Sequence, residues 1–164
     1  MEWTNTMKAL EDFGAYFRNL LQDRIIEEDL ISTGELLNDL DYIVEAEEAT
    51  FTVSVKIKDY FKYLDEGTAP AGKYKNPGWA AYPHIKQWVI AKPIYPEVDN
   101  AGKTPSVDQL AFLITRSMKE NGMEPRNIWA PAVQEAVDKF ERELGDAILE
   151  DIGSDLERLL LEIY

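Results

Sequence analysis

The chain has 164 residues, 45% of them hydrophobic and 11% aromatic, with 17 basic against 31 acidic side chains and a formal charge of -14. That length and composition suit a globular chain able to bury roughly two thirds of the surface its unfolded form exposes. The absence of cysteine excludes disulfides, thiolate catalysis and cysteine-based zinc sites, and the charge argues against a phosphate-tracking surface on the isolated protein.

From the N-terminus, Trp3, Met7, Leu10, Phe13, Phe17, Leu20, Leu21 and Ile25 recur at steps of three and four, predicting an amphipathic helix over residues 3–29 with Gly14 as its weak point. Neither a basic segment leading an apolar run nor a span of about 18 apolar residues occurs, so the chain reads as soluble and unexported, with no membrane partner. Ser32-Thr-Gly-Glu35 has the spacing of a capping box before a short helix at 33–39. From Asp41 the period becomes two: Tyr42, Val44 and Ala46, then Phe51, Val53, Val55 and Ile57, alternate with polar residues, which predicts a hairpin with one wet face. Tyr60-Phe-Lys-Tyr-Leu-Asp-Glu-Gly67 reads as a continuation of the second strand, ending at a glycine of positive φ. Residues 69–82, rich in Gly and Pro, read as a loop.

Pro83 can open a helix reaching about Ala91 on an apolar face of Ile85, Trp88 and Val89. Thr104-Pro105 then supplies an N-cap and first turn for a helix carrying Val107, Leu110, Ala111, Ile114 and Met118, stopped at Asn121-Gly122. The last helix, about 130–163, carries Val133, Val137, Phe140, Leu144, Ile148, Ile152, Leu156, Leu159 and Ile163. Unbroken, it is longer than a domain of this size is wide, so either part of its stripe rests on another subunit or it breaks near Gly145 or Gly153. The expected fold is one α+β domain over residues 1–164. In it a small antiparallel sheet is packed by a long N-terminal and a long C-terminal helix, with two further helices in between.

Charge is uneven along the chain. Residues 1–48 hold 13 acids and 3 bases, residues 49–134 hold 8 and 11, and residues 135–164 hold 10 and 3. Solvated helix faces account for this, and so does head-to-tail packing of acidic helices against a neighbour's basic middle.

Catalytic motifs fail on residue type or spacing. Ala101-Gly-Lys-Thr104 resembles the end of a phosphate-binding loop, but Glu97 stands where its first glycine belongs. His84 is the only histidine, too few for a multi-histidine metal site, and no acid stands two residues before a lysine, as a metal-dependent nuclease of that type needs. Asp65 and Glu66 are adjacent, and on an extended segment they face opposite ways. An enzyme using either carboxylate ranks last; no catalytic, metal or cofactor site is expected.

Ser32-x-Gly34-x-Leu36, a hairpin, and then Tyr60-x-x-Tyr63-Leu64-x-x-Gly67-Thr68 occur in that order, followed by a proline-containing loop and a long C-terminal helix. This resembles the tail-completion or head-to-tail joining proteins of tailed bacteriophages, in which "tG.L..S" and "YA.yvEyGT" occur in the same order. The chain departs at Asn38 or Asp39, where the family has serine, at Phe61 in place of a small residue, and at Asp65-Glu66. The resemblance implies a non-enzymatic virion subunit, made in the bacterial cytoplasm. It would form a cyclic homo-oligomeric ring in the neck between portal or adaptor and tail proteins, with DNA passing through unbound. Ser32, Gly34, Leu36, Tyr60, Tyr63, Leu64, Gly67 and Thr68 are its candidate assembly residues. The alternative from charge alone is an acidic binding protein, a DNA mimic or an inhibitor of a basic partner.

Overall fold

The computed structural model describes residues 3–30, 34–48, 50–70, 82–92 and 104–162. Their order is α1 (Thr4–Glu27), α2 (Glu35–Asn38), β1 (Asp41–Glu47), β2 (Thr50–Lys56), α3 (Phe61–Glu66), α4 (Tyr82–Ala91), α5 (Val107–Asn121) and α6 (Trp129–Glu162). The expected α+β class holds: a two-stranded antiparallel sheet with long first and last helices. Among the described residues four helices stand between α1 and α6, because the short helix expected near residue 35 is present and the segment from Phe61 is also helical. By contacts the chain forms two compact units. One comprises residues 1–29, 39–58 and 127–164, the other residues 30–38 and 59–126.

In the first unit α1 and α6 pack lengthwise and the hairpin packs on α1. Tyr42 pairs with Val55 and Val44 with Val53, putting four half-buried side chains on one face, while Ile43, Glu45, Thr52 and Ser54 are exposed on the other. The alternation seen in the sequence is thus the inside and outside of the sheet. Gly14 is where the hairpin meets the helix: a Cβ there would lie 2.6 Å from Cε2 of Tyr42, so the missing side chain admits the tyrosine ring. Phe17, Leu21 and Ile25 of α1 are buried, and rings interlock around them. Phe13 meets Phe140 edge-on at 5.8 Å, and Phe17 meets Trp129 edge-on at 5.2 Å, a geometry the ring quadrupoles favour.

Helix α6 is continuous for 34 residues, about 50 Å at 1.5 Å per residue, with no break at Gly145 or Gly153. Its buried line is Ala132, Ala136, Phe140, Ala147 and Asp151. Of the apolar stripe read from the sequence, Phe140 is buried, Val133, Leu144, Ile148 and Ile152 are half-buried, and Val137, Leu156 and Leu159 are exposed. Three of the buried residues are alanines, so small side chains as well as the aliphatic stripe form the packed face of α6.

In the second unit α4 packs on α5. The α5 N-cap is Ser106, not Thr104. Its hydroxyl accepts from the Gln109 N–H and the Gln109 side chain accepts from the Ser106 N–H at 2.8 Å, a reciprocal capping box. Asp108 accepts hydrogen bonds from Lys86 (2.7 Å) and Tyr82 (2.9 Å), tying the start of α5 to α4. Helix α4 starts at Tyr82, one residue before the expected Pro83, which still lies in the first turn, where its missing N–H leaves no intrahelical bond unmade.

Candidate functional site

The segment from Tyr60 to Pro70 is not a strand continuation. Tyr60 begins a helical turn and a half, Phe61 is buried at 4% exposure, and Gly67 ends the helix at φ 70°, ψ -173°. Burial of the Phe61 ring overrides the β preference of the surrounding aromatics. The expected positive φ at Gly67 is present, now as a helix terminator.

Beyond Gly67 the chain crosses the exit of α5. Thr68 and Met123 form an isolated antiparallel bridge, each N–H donating to the other's carbonyl at 2.9 Å, and the Thr68 hydroxyl accepts from the same Met123 N–H at 3.1 Å. The Arg126 N–H donates to the Leu64 carbonyl at 3.1 Å, capping α3 from across the crossing. Both strands of the crossing turn on glycine. A Cβ on Gly67 would stand 2.5 Å from the Met123 oxygen and 2.7 Å from the Pro125 nitrogen. One on Gly122, at φ 76° and ψ -169°, would run into the Thr68 oxygen. This backbone region is essentially reserved to glycine, and each glycine also makes room for the other's neighbour.

Of the eight candidate residues, the structure brings Leu64, Gly67 and Thr68 together at this crossing. Tyr60 and Tyr63 stand 44% and 58% exposed on the same short helix. Gly34 precedes α2 at φ 80°, and Leu36 is buried at 2% exposure. Ser32 and its capping box lie outside the described residues. Asp65 and Glu66 sit on a helix, about 100° apart around it rather than on opposite faces; Glu66 is exposed, 3.9 Å from Lys62. His84 is exposed, and no three acids or histidines converge as a metal site among the described residues. Nor is any helix there long and apolar enough to cross a membrane.

Sequence reasoning missed a second constellation, in the first unit. Asp151 is 4% exposed and inserts its carboxylate at the N-terminus of α1. It accepts from the N–H and Nδ2 of Asn5 at 3.1 and 3.0 Å, and from the N–H and hydroxyl of Thr6 at 2.8 and 2.7 Å. Trp3, the residue in the cap position of α1, offers no side-chain acceptor, so Asp151 supplies the cap from 145 positions away. Burial pushes its carboxyl upward, but the Thr6 and Asn5 hydrogen bonds outweigh this and hold it below the usual aspartate value. The available signal was an acid four residues after Ala147, on the line of Phe140. Farther along, Arg24 and Tyr16 donate to Glu135 at 2.7 and 3.1 Å and lower its pKa. An open groove of about 450 Å³ in the same unit is lined by Lys8, Lys139 and Arg142 together with Asp12, Glu143 and Asp146, the mixed charge of a solvated face.

Comparison with family models, with characterised proteins and with solved structures finds no match to this chain.

Proposed function

We propose that the chain is a structural virion protein of a tailed bacteriophage, a non-enzymatic subunit of the neck ring that joins portal or adaptor to tail. The carrying observation is how the motif segment is built. Thr68, at the end of the resemblance motif, is locked to Met123 by reciprocal backbone hydrogen bonds, and the adjoining Gly67 and Gly122 leave room for that crossing. Tyr60 and Tyr63, at its start, are displayed on the surface from that rigid base. Hydrogen-bonded backbone beneath exposed aromatics suits an assembly contact, because tyrosine supplies large contact area at low entropic cost. Portal or adaptor and tail proteins are the partners, and DNA passes without specific binding.

Electron microscopy of virions and of the purified protein, with light scattering for mass, tests the reading. A ring, or labelled density at a virion neck, is expected. Absence from purified virions, together with a monomer that tightly binds a basic cellular nuclease or polymerase, would replace it with the acidic-inhibitor reading.

A further inference from the structure

The C-terminal third of α6 has a second apolar face that α1 does not use. The last buried residue on the α1 side is Asp151. At 100° per residue, Leu149, Leu156 and Leu160 stand about 140–180° around the helix from it. Their exposures are 68%, 55% and 59%, and Leu159 is 47% exposed. Upstream the same face is polar, with Asp138, Glu141 and Arg142 all exposed, so the apolar stripe starts where the α1 contact is running out. Its spacing is regular: Leu149, Ile152, Leu156 and Leu159 step by three, four and three residues, the a and d positions of a heptad. Leu160 adds an e position and widens the stripe to about 100°, broader than a two-stranded seam and typical of a helix facing more than one neighbour.

We propose that this face is a self-assembly seam, on which the α6 tails of three or more copies of the chain pack side by side; the proposal rests on the reading of the chain as a ring subunit. In a ring whose α6 tails run along the symmetry axis the tails are parallel, and in a parallel bundle a g position faces the e' position of the next helix. Here g is Asp155 and e' is Leu160, so no like charges meet despite the acidity of the tail. Asp155 is moreover already neutralised: Arg158 donates to it at 2.6 Å and its side chain is only 13% exposed. Of the other acids of this stretch, Glu150 and Glu157 fall at b and Asp151 at c, away from the seam, while Glu162 falls at g with no e' position after it among residues 149–162.

The chain has no cysteine, so single cysteines report unambiguously on neighbours. In the full-length protein, Leu156→Cys should form intermolecular disulfides on mild oxidation while Glu157→Cys, one residue off the seam, does not. The double change Leu156→Glu with Leu159→Glu should abolish the higher-mass species in light scattering and leave the far-UV circular dichroism of the subunit unchanged, since both side chains are exposed within it. Equal cross-linking at positions 156 and 157 overturns the seam. A double variant that still forms rings by microscopy also overturns it, while leaving the neck reading standing. A wild-type protein monomeric in light scattering overturns it too, and the neck reading is then decided separately by labelling virions.

Discussion

Asp151 shows how far one side chain reaches. Four hydrogen bonds converge on its carboxylate from the first turn of α1. Asp151→Ala strands buried donors and is expected to cost about 2–3 kcal/mol, read from urea unfolding with an unchanged m-value. The pH dependence has a definite sign. Because burial is outweighed by the hydrogen bonds from Thr6 and Asn5, which depress the folded pKa below the unfolded one, the unfolded chain binds more protons in the acid range. The stabilisation is full above the unfolded value and is lost as pH falls through the folded one. Wild-type stability should therefore decline more steeply below about pH 5 than that of Asp151→Asn; parallel curves would show that the carboxylate's charge is immaterial. Glycine provides a second contrast. Gly67→Ala and Gly122→Ala combine a forbidden φ with backbone collisions, and each should cost more than about 2 kcal/mol. A Cβ on Gly145 or Gly153 meets nothing within 4 Å, so Ala at either should stabilise α6 by about 0.5–1 kcal/mol in the same assay.

At the scale of elements, the parts with a strong period were legible in the sequence. The 3.6-residue rhythm of α1 and the alternation of β1 and β2 survive into the structure because each element has one face to bury. Phe61–Glu66 was not legible. Six residues are too few for a period to show, the aromatics lean towards strand, and the helix is decided by burial of Phe61 and termination at Gly67. The α5 start was misplaced because Thr104-Pro105 and Ser106-x-x-Gln109 are both valid start signals; the capping box that forms is the second. On α6 the large aliphatic residues hid the alanines that share its packed face, since periodicity weighs size and cannot tell which part of an apolar stripe meets the partner. The site was legible only in part. Gly67 announced its own φ, but its collision partners Met123 and Pro125 lie more than fifty positions on and carry no sequence signal of their own.

For the whole molecule, assembly decides between the readings. If rings form, subtomogram or single-particle maps should show an acidic inner surface, as a chain of formal charge -14 suggests for a passage that must not hold DNA. A basic lumen would sink that expectation without touching the ring itself. Removing the exposed leucines of the α6 tail should change mass in solution without unfolding the subunit, whereas altering the glycine crossing should lower the stability of the subunit itself. The two perturbations therefore separate assembly from folding.

The cap that Asp151 provides also bears on the order in which the chain can become structured as it leaves the ribosome. Helix α1 emerges first, but its terminal amides and its buried face both wait for residues beyond 127. The unit spanning 59–126, by contrast, holds nearly all its contacting segments within one stretch and emerges before α6 exists. Synthesis is vectorial at about 5–20 residues per second, so the earliest-made helix is among the last to be secured. A nascent chain stalled before α6 should accordingly protect α4 and α5 from protease while leaving α1 open to cleavage.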